Sequence, residues 1–88
     1  MSDSSTNDAI ALGLNALAAS LGDQRLADRF LSLSGIDPPE LRQRASDPAL
    51  LAALLGFLEA HEPDLIAVAA RIGVEPEALV RARRELDA

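Results

Sequence analysis

Asp47-Pro48-Ala49-Leu50-Leu51-Ala52-Ala53-Leu54-Leu55-Gly56-Phe57-Leu58 is the stretch on which the fold turns. Its large apolar residues, Leu50, Leu51, Leu54, Leu55, Phe57 and Leu58, recur at helical spacing but leave almost no polar side. A helix apolar nearly all round needs cover on several sides, which places it at the centre of a core. Asp47 supplies an N-cap and Pro48 a first helical residue whose missing N–H costs nothing. The apolar run from Ala49 to Leu58 would reach only about 15 Å as a helix, half of a bilayer core of about 30 Å. It therefore predicts a buried helix over 48–61, and no membrane contact is expected.

The same punctuation continues on either side. Gly22, Gly35 and Gly73 each follow a helical pattern and suit a left-handed residue just past a helix end. Pro38, Pro48, Pro63 and Pro76 each follow an acidic residue, with Glu a weaker cap than Asp. Six helices result, near 8–20, 24–34, 38–45, 48–61, 63–72 and 76–86. In the first, Ile10, Leu14, Leu17 and Leu21 form the expected inward stripe; in the second it is Leu26, Phe30 and Leu33. The third helix is short. The fifth carries Leu65, Ile66, Val68, Ala69 and Ile72, and the sixth Leu79, Ala82 and Leu86. Period-2 alternation never persists, so no strand competes. The reading is an all-α bundle of about six short helices around the fourth, with residues 1–6 as a disordered polar tail and 7–88 as one domain.

A local repeat runs through it. Gly35-Ile36-Asp37-Pro38-Pro39-Glu40-Leu41 resembles Gly73-Val74-Glu75-Pro76-Glu77-Ala78-Leu79. Each has a glycine, an apolar residue, an acidic cap, a proline and an apolar residue that closes a hydrophobic staple; Asp37 and Glu40 also make a capping box. Two origins fit: convergent helix punctuation, or a three-helix pseudo-repeat.

Composition bounds the chemistry. An 88-residue chain makes one small domain that buries about 60% of its unfolded surface, with a stability on the order of 5–10 kcal/mol. No cysteine excludes disulfides and thiolate metal sites, and His61, the one histidine, cannot build a multi-histidine zinc site. Without Trp or Tyr, and with Phe30 and Phe57 the only aromatics, there is no base-stacking platform. A net charge of −6 counts against phosphate-backbone binding. All the cations are arginine, as GC-rich codon usage alone would give. The amino-terminal stretch is acidic and polar, the reverse of a secretory leader, so the expected location is the cytoplasm.

Arg29-Phe30-Leu31-Ser32-Leu33-Ser34-Gly35-Ile36-Asp37-Pro38, Leu41-Arg42, Asp47-Pro48, Leu54-Leu55-Gly56-Phe57-Leu58 and His61-Glu62 form an ordered string of motifs. Over about residues 9–85 the chain resembles a bacterial family, the domain of unknown function 3572. The resemblance implies a short, cytoplasmic, helical protein with no assigned activity and no catalytic residues to transfer.

No residue constellation points to catalysis, a cofactor or a metal. His61, between Glu59 and Glu62, reads as an imidazole beside the end of the fourth helix. The serines show no nucleophile context, and the glycines stand singly rather than in a phosphate loop. Two function classes follow. The first is a non-enzymatic protein-interaction or regulatory module. Its partner or homo-oligomer interface is expected on Leu51 and Leu55, with Leu12 also exposed off the first stripe and Arg42 and Arg44 as a charged rim. The alternative is a helix-turn-helix DNA-binding regulator: Val68-Ala69-Ala70-Arg71-Ile72-Gly73-Val74, then Leu79 and Ala82, with Arg81, Arg83 and Arg84 toward DNA. Glu75, Glu77, Glu85 and Asp87 on that same helix oppose phosphate.

Overall fold

The computed structural model describes residues 2–88, with side chains described from Thr6 onward. Six helices follow in order: α1 Ser2–Leu21, α2 Gln24–Ser34, α3 Pro38–Gln43, α4 Pro48–Glu59, α5 Glu62–Ile72 and α6 Pro76–Asp87. Among the described residues there is no strand, so the chain is an all-α bundle. α4 lies at its centre, packed by α1, α5 and α6. α6 is seated against α1, α4 and α5, whereas α2 packs chiefly on α1. The body is thin, 18 Å along its shortest axis against 36 Å along its longest, so an enclosed helix is the exception.

The aspartate caps form as their residue type dictates, whereas Glu75 makes no side-chain cap bond to α6 and Glu62, expected as the cap before Pro63, lies inside α5 behind His61. The Asp37 carboxylate accepts the Glu40 N–H at 2.9 Å, and Asp47 accepts the Ala49 N–H at 2.9 Å. Asp23 does the same for α2, accepting from Arg25 at 3.0 Å and Leu26 at 3.4 Å, so α1 and α2 are joined through only Gly22 and Asp23. Gly35 and Gly73 end α2 and α5 at φ 72° and 76°, a region costly for any residue with a Cβ. Gly22, expected to do likewise, has no positive φ; its N–H continues the helical pattern to the Ala18 carbonyl at 3.1 Å. The two seven-residue repeats thus share glycine and proline geometry but not packing. α6 is held by three helices, while six-residue α3 makes few close approaches to any.

Several boundaries and faces depart from the sequence pattern. α1 begins at Ser2, six residues before the start expected near 8 and within the expected tail. Met1, the first residue of the expected tail, lies outside the described residues. The inward face of α1 is Ala9, Gly13, Ala16, Leu17 and Ser20, not the Ile10–Leu14–Leu17–Leu21 stripe; Leu21 is 42% exposed. Small residues face inward because α1 lies close on α4: a Cβ on Gly13 would stand 3.2 Å from that of Leu51. Ser20 turns its hydroxyl back to the Ala16 carbonyl at 2.8 Å and so buries without an unmet partner. Leu33 continues the phase of buried Leu26 and Phe30 but is 74% exposed; α2 packs chiefly on α1, and no neighbour covers Leu33. α3 and α4 each end two residues before their expected limits.

The expected interface on Leu51 and Leu55 does not exist. Both leucines are fully buried within the single chain, since the three helices around α4 cover every position that bears a leucine. Leu54, Leu58 and Phe30 are buried as expected.

Candidate functional site

Two features outside the core carry chemistry: a polar cluster where α2 meets α5, and the outward face of α5 beside it. The cluster centres on Asp64, at the third position of α5. It is 8% exposed although it carries a carboxylate. Arg29 of α2 donates to its Oδ2 at 2.8 Å, and His61 Nδ1 lies 2.9 Å from the same oxygen. Burial works to raise the Asp64 pKa, but hydrogen bonds and charge from Arg29 and His61 outweigh it and hold the carboxyl below its ordinary value. The Arg29 guanidinium also lies 5.3 Å from the Phe57 ring centroid, and Phe57 meets Phe30 edge to face at 5.4 Å and 61°. One arginine thus ties α2 to α5 and roofs the exposed edge of α4.

His61 has a different place from the one its sequence position suggests. α4 stops at Glu59, and His61 is the residue preceding α5, with its side chain on Asp64 rather than on the end of α4. Among the described residues, no three metal-binding side chains converge around it or elsewhere.

The outward face of α5 has no charge between Glu62 and Arg71. Its inward residues are Asp64, Leu65, Val68 and Ala69. Pro63, Ile66, Ala67 and Ala70, at i, i+3, i+4 and i+7, share the opposite side and all are exposed, Ile66 by 50%. Solvated helix faces ordinarily carry charged or polar residues; this one carries four apolar residues in a row along the axis.

The residues singled out from sequence are scattered. Leu12 is half-buried in a shallow groove of about 310 Å³ between α1 and α6, beside Arg81 and Glu85. Leu51 and Leu55 are core. Arg42 is exposed on α3, and Arg44 pairs with Glu40 at 3.4 Å and Asp47 at 3.3 Å. Arg83 is engaged by Glu59 of α4 and by Asp87. Glu59 first, then Asp87, pushes its guanidinium pKa up. Arg81 and Arg84 are exposed on α6. No single surface gathers Leu12, Leu51 and Leu55. The three α6 arginines are also separated in role, one being tied back to α4.

The family described as Protein of unknown function (DUF3572) matches residues 6–88, nearly the whole chain. The chain belongs to this family. The DUF3572 match takes in α2 to α6 whole and α1 from Thr6, so the α2–α5 cluster and the α5 face are parts of the family domain and not of an appended segment. Neither a curated protein nor a solved structure matches the chain. Among the described residues, no helix is long and apolar enough to cross a membrane.

Proposed function

We propose that this DUF3572 protein is a non-enzymatic protein-interaction module whose docking surface is the outward face of α5. The observation that carries the reading is the exposed series Pro63, Ile66, Ala67 and Ala70 along one face of α5. Contiguous exposed apolar surface in a small monomer marks a place another chain covers. Small residues there suit a helix laid alongside rather than one bulky side chain inserted into a pocket. The cluster beneath fixes that surface: Arg29 and His61 anchor Asp64 in the first turn of α5.

The test is affinity capture from the native cytoplasm, where this reading places the protein, using the wild-type chain and Ile66→Asp. The expected result is a captured protein that binds the purified wild-type chain and not the variant, while both chains share the same helical circular dichroism. Capture unaffected by the substitution would refute the surface. DNA binding by α6 is the less favoured reading, because Arg83 is committed to Glu59 and Asp87, and the exposed Arg81 and Arg84 share the helix with Glu77, Glu85 and Asp87. A salt-resistant, sequence-selective gel shift lost on Arg81→Ala or Arg84→Ala would reverse that judgement.

A further inference from the structure

We infer that the link Gly22-Asp23 is a hinge at which α1 and α2 join into one continuous helix, and that two copies of this chain then exchange α1. Every later junction is blocked against such a change. α3, α4, α5 and α6 each carry a proline in their first two positions. A proline there has no N–H to give and clashes with the carbonyl four residues back if the preceding helix is continued through it. Gly35 and Gly73 add left-handed turns. The α1–α2 junction has neither device. Gly22 has no positive φ, α2 starts on Gln24, and the bend is made by Asp23, extended at φ −110° and ψ 110°.

Straightening the bend exchanges hydrogen bonds rather than losing them. Asp23 gives its N–H to the Ser20 carbonyl at 3.1 Å, and Arg25 and Leu26 give theirs to the Asp23 carboxylate at 3.0 and 3.4 Å. In a continuous helix these N–H groups reach the carbonyls of Ala19, Leu21 and Gly22, four residues back, and Gln24 takes that of Ser20. The Ala19 carbonyl, which the bend frees, is met instead by Arg71 of α5 at 3.0 Å. Two side chains, Asp23 and Arg71, thus hold the bend closed, and both are released to water when the helix runs through. A helix over 2–34 would be about 50 Å long, against 36 Å for the longest axis of the body, so one half of it must leave. α2 stays, tied by Arg29 to Asp64, by Phe30 to Phe57 and through α3 to α4. α1 is joined to the other helices only across the hinge, and its place on α4, α5 and α6 is taken by α1 of the second copy. Each contact that α1 makes in the closed chain is remade between copies, so the hinge and the concentration set the balance. The outward face of α5 takes no part.

A disulfide between α1 and α4 reports which copy supplies α1. A Cβ on Gly13 would stand 3.2 Å from that of Leu51, close to the ~3.8 Å of a disulfide, and the chain has no cysteine of its own. Purified full chains carrying Gly13→Cys and Leu51→Cys are refolded at high concentration and then oxidised, with three hinges: native, Gly22→Ala with Asp23→Ala, and Gln24→Pro. The alanine hinge favours a continuous helix and removes the cap. A Cβ on Gly22 makes only ordinary contacts in the bend, the nearest at 3.4 Å. Gln24→Pro gives α2 the Asp-Pro start of α3 and α4, which suits an extended Asp23 and forbids the straight form. On a non-reducing gel the alanine hinge should give roughly tenfold more disulfide-linked dimer than the native hinge, and Gln24→Pro should give only chains closed on themselves. Sedimentation of the same three hinges without the cysteines should rank the dimer in the same order, whatever the cysteines do to the core. Linked dimer in equal amount from all three, or in none, would overturn the inference. So would equal dimer by sedimentation, or dimers whose disulfides stay within one chain.

Discussion

α4 and α5 are consecutive helices of nearly equal length, α4 rich in Leu and Ala and α5 in Ala, Ile and Val, yet one is enclosed and the other has an open side. α4 buries Leu50, Leu51, Leu54, Leu55 and Leu58; its exposed side chains are small ones such as Ala49 and Ala53, with Phe57 and Glu59 partly covered. α5 buries Leu65 and Val68 but leaves Ile66 half exposed in line with Pro63, Ala67 and Ala70. Apolar content therefore does not fix burial; the supply of neighbours does. In a body only 18 Å thick, α1, α5 and α6 are spent on α4, and the outer side of α5 has nothing left to cover it.

Substitutions break or sharpen this contrast by amounts that fall with distance from α4. Leu54→Ala opens a cavity in the enclosed helix and should cost about 2–5 kcal/mol, a large part of the stability of so small a domain; chemical denaturation measures it. Gly13→Leu should cost about 1–3 kcal/mol by overpacking, since even a Cβ there crowds Leu51, and a lowered thermal midpoint would show that α1 helps enclose α4. Asp64→Asn should cost about 1 kcal/mol, at the low end for a charged hydrogen bond because Arg29 is nearly half exposed. The Asp64 pKa is lowered in the fold, so this stabilisation is complete above the ordinary carboxylate value of 3.8 and is lost as pH falls through the lowered one. Stability curves of wild type and variant should therefore converge in acid. Ile66→Asp should change monomer stability by only about 0.5 kcal/mol; a loss comparable to that of Leu54→Ala would mean that the α5 face is not open.

Much of the architecture was legible in the residues. Asp37 and Asp47 before proline announced their helices, and the lack of a polar side on α4 announced its position. The α1 face was misread because its contact is made by small residues, Ala9, Gly13 and Ala16, which let helices approach but do not stand out as a hydrophobic stripe. Leu33 was misread because phase says which way a side chain points and not whether a neighbour extends that far. The Arg29–Asp64–His61 cluster joins positions 35 residues apart, and nothing local to either marks the other. The α5 face had a visible signal, an uncharged run broken only by Asp64. Its meaning depended on that aspartate pointing inward to Arg29, which the sequence does not state.

The most direct test of the account is the access of a soluble paramagnetic agent to side-chain methyl groups by NMR. The Leu51, Leu54 and Leu55 methyls should be protected. The Ile66 methyls should broaden strongly in dilute solution. Broadening of Leu51 or Leu55, or Ile66 as protected as they are in the dilute sample, would contradict it.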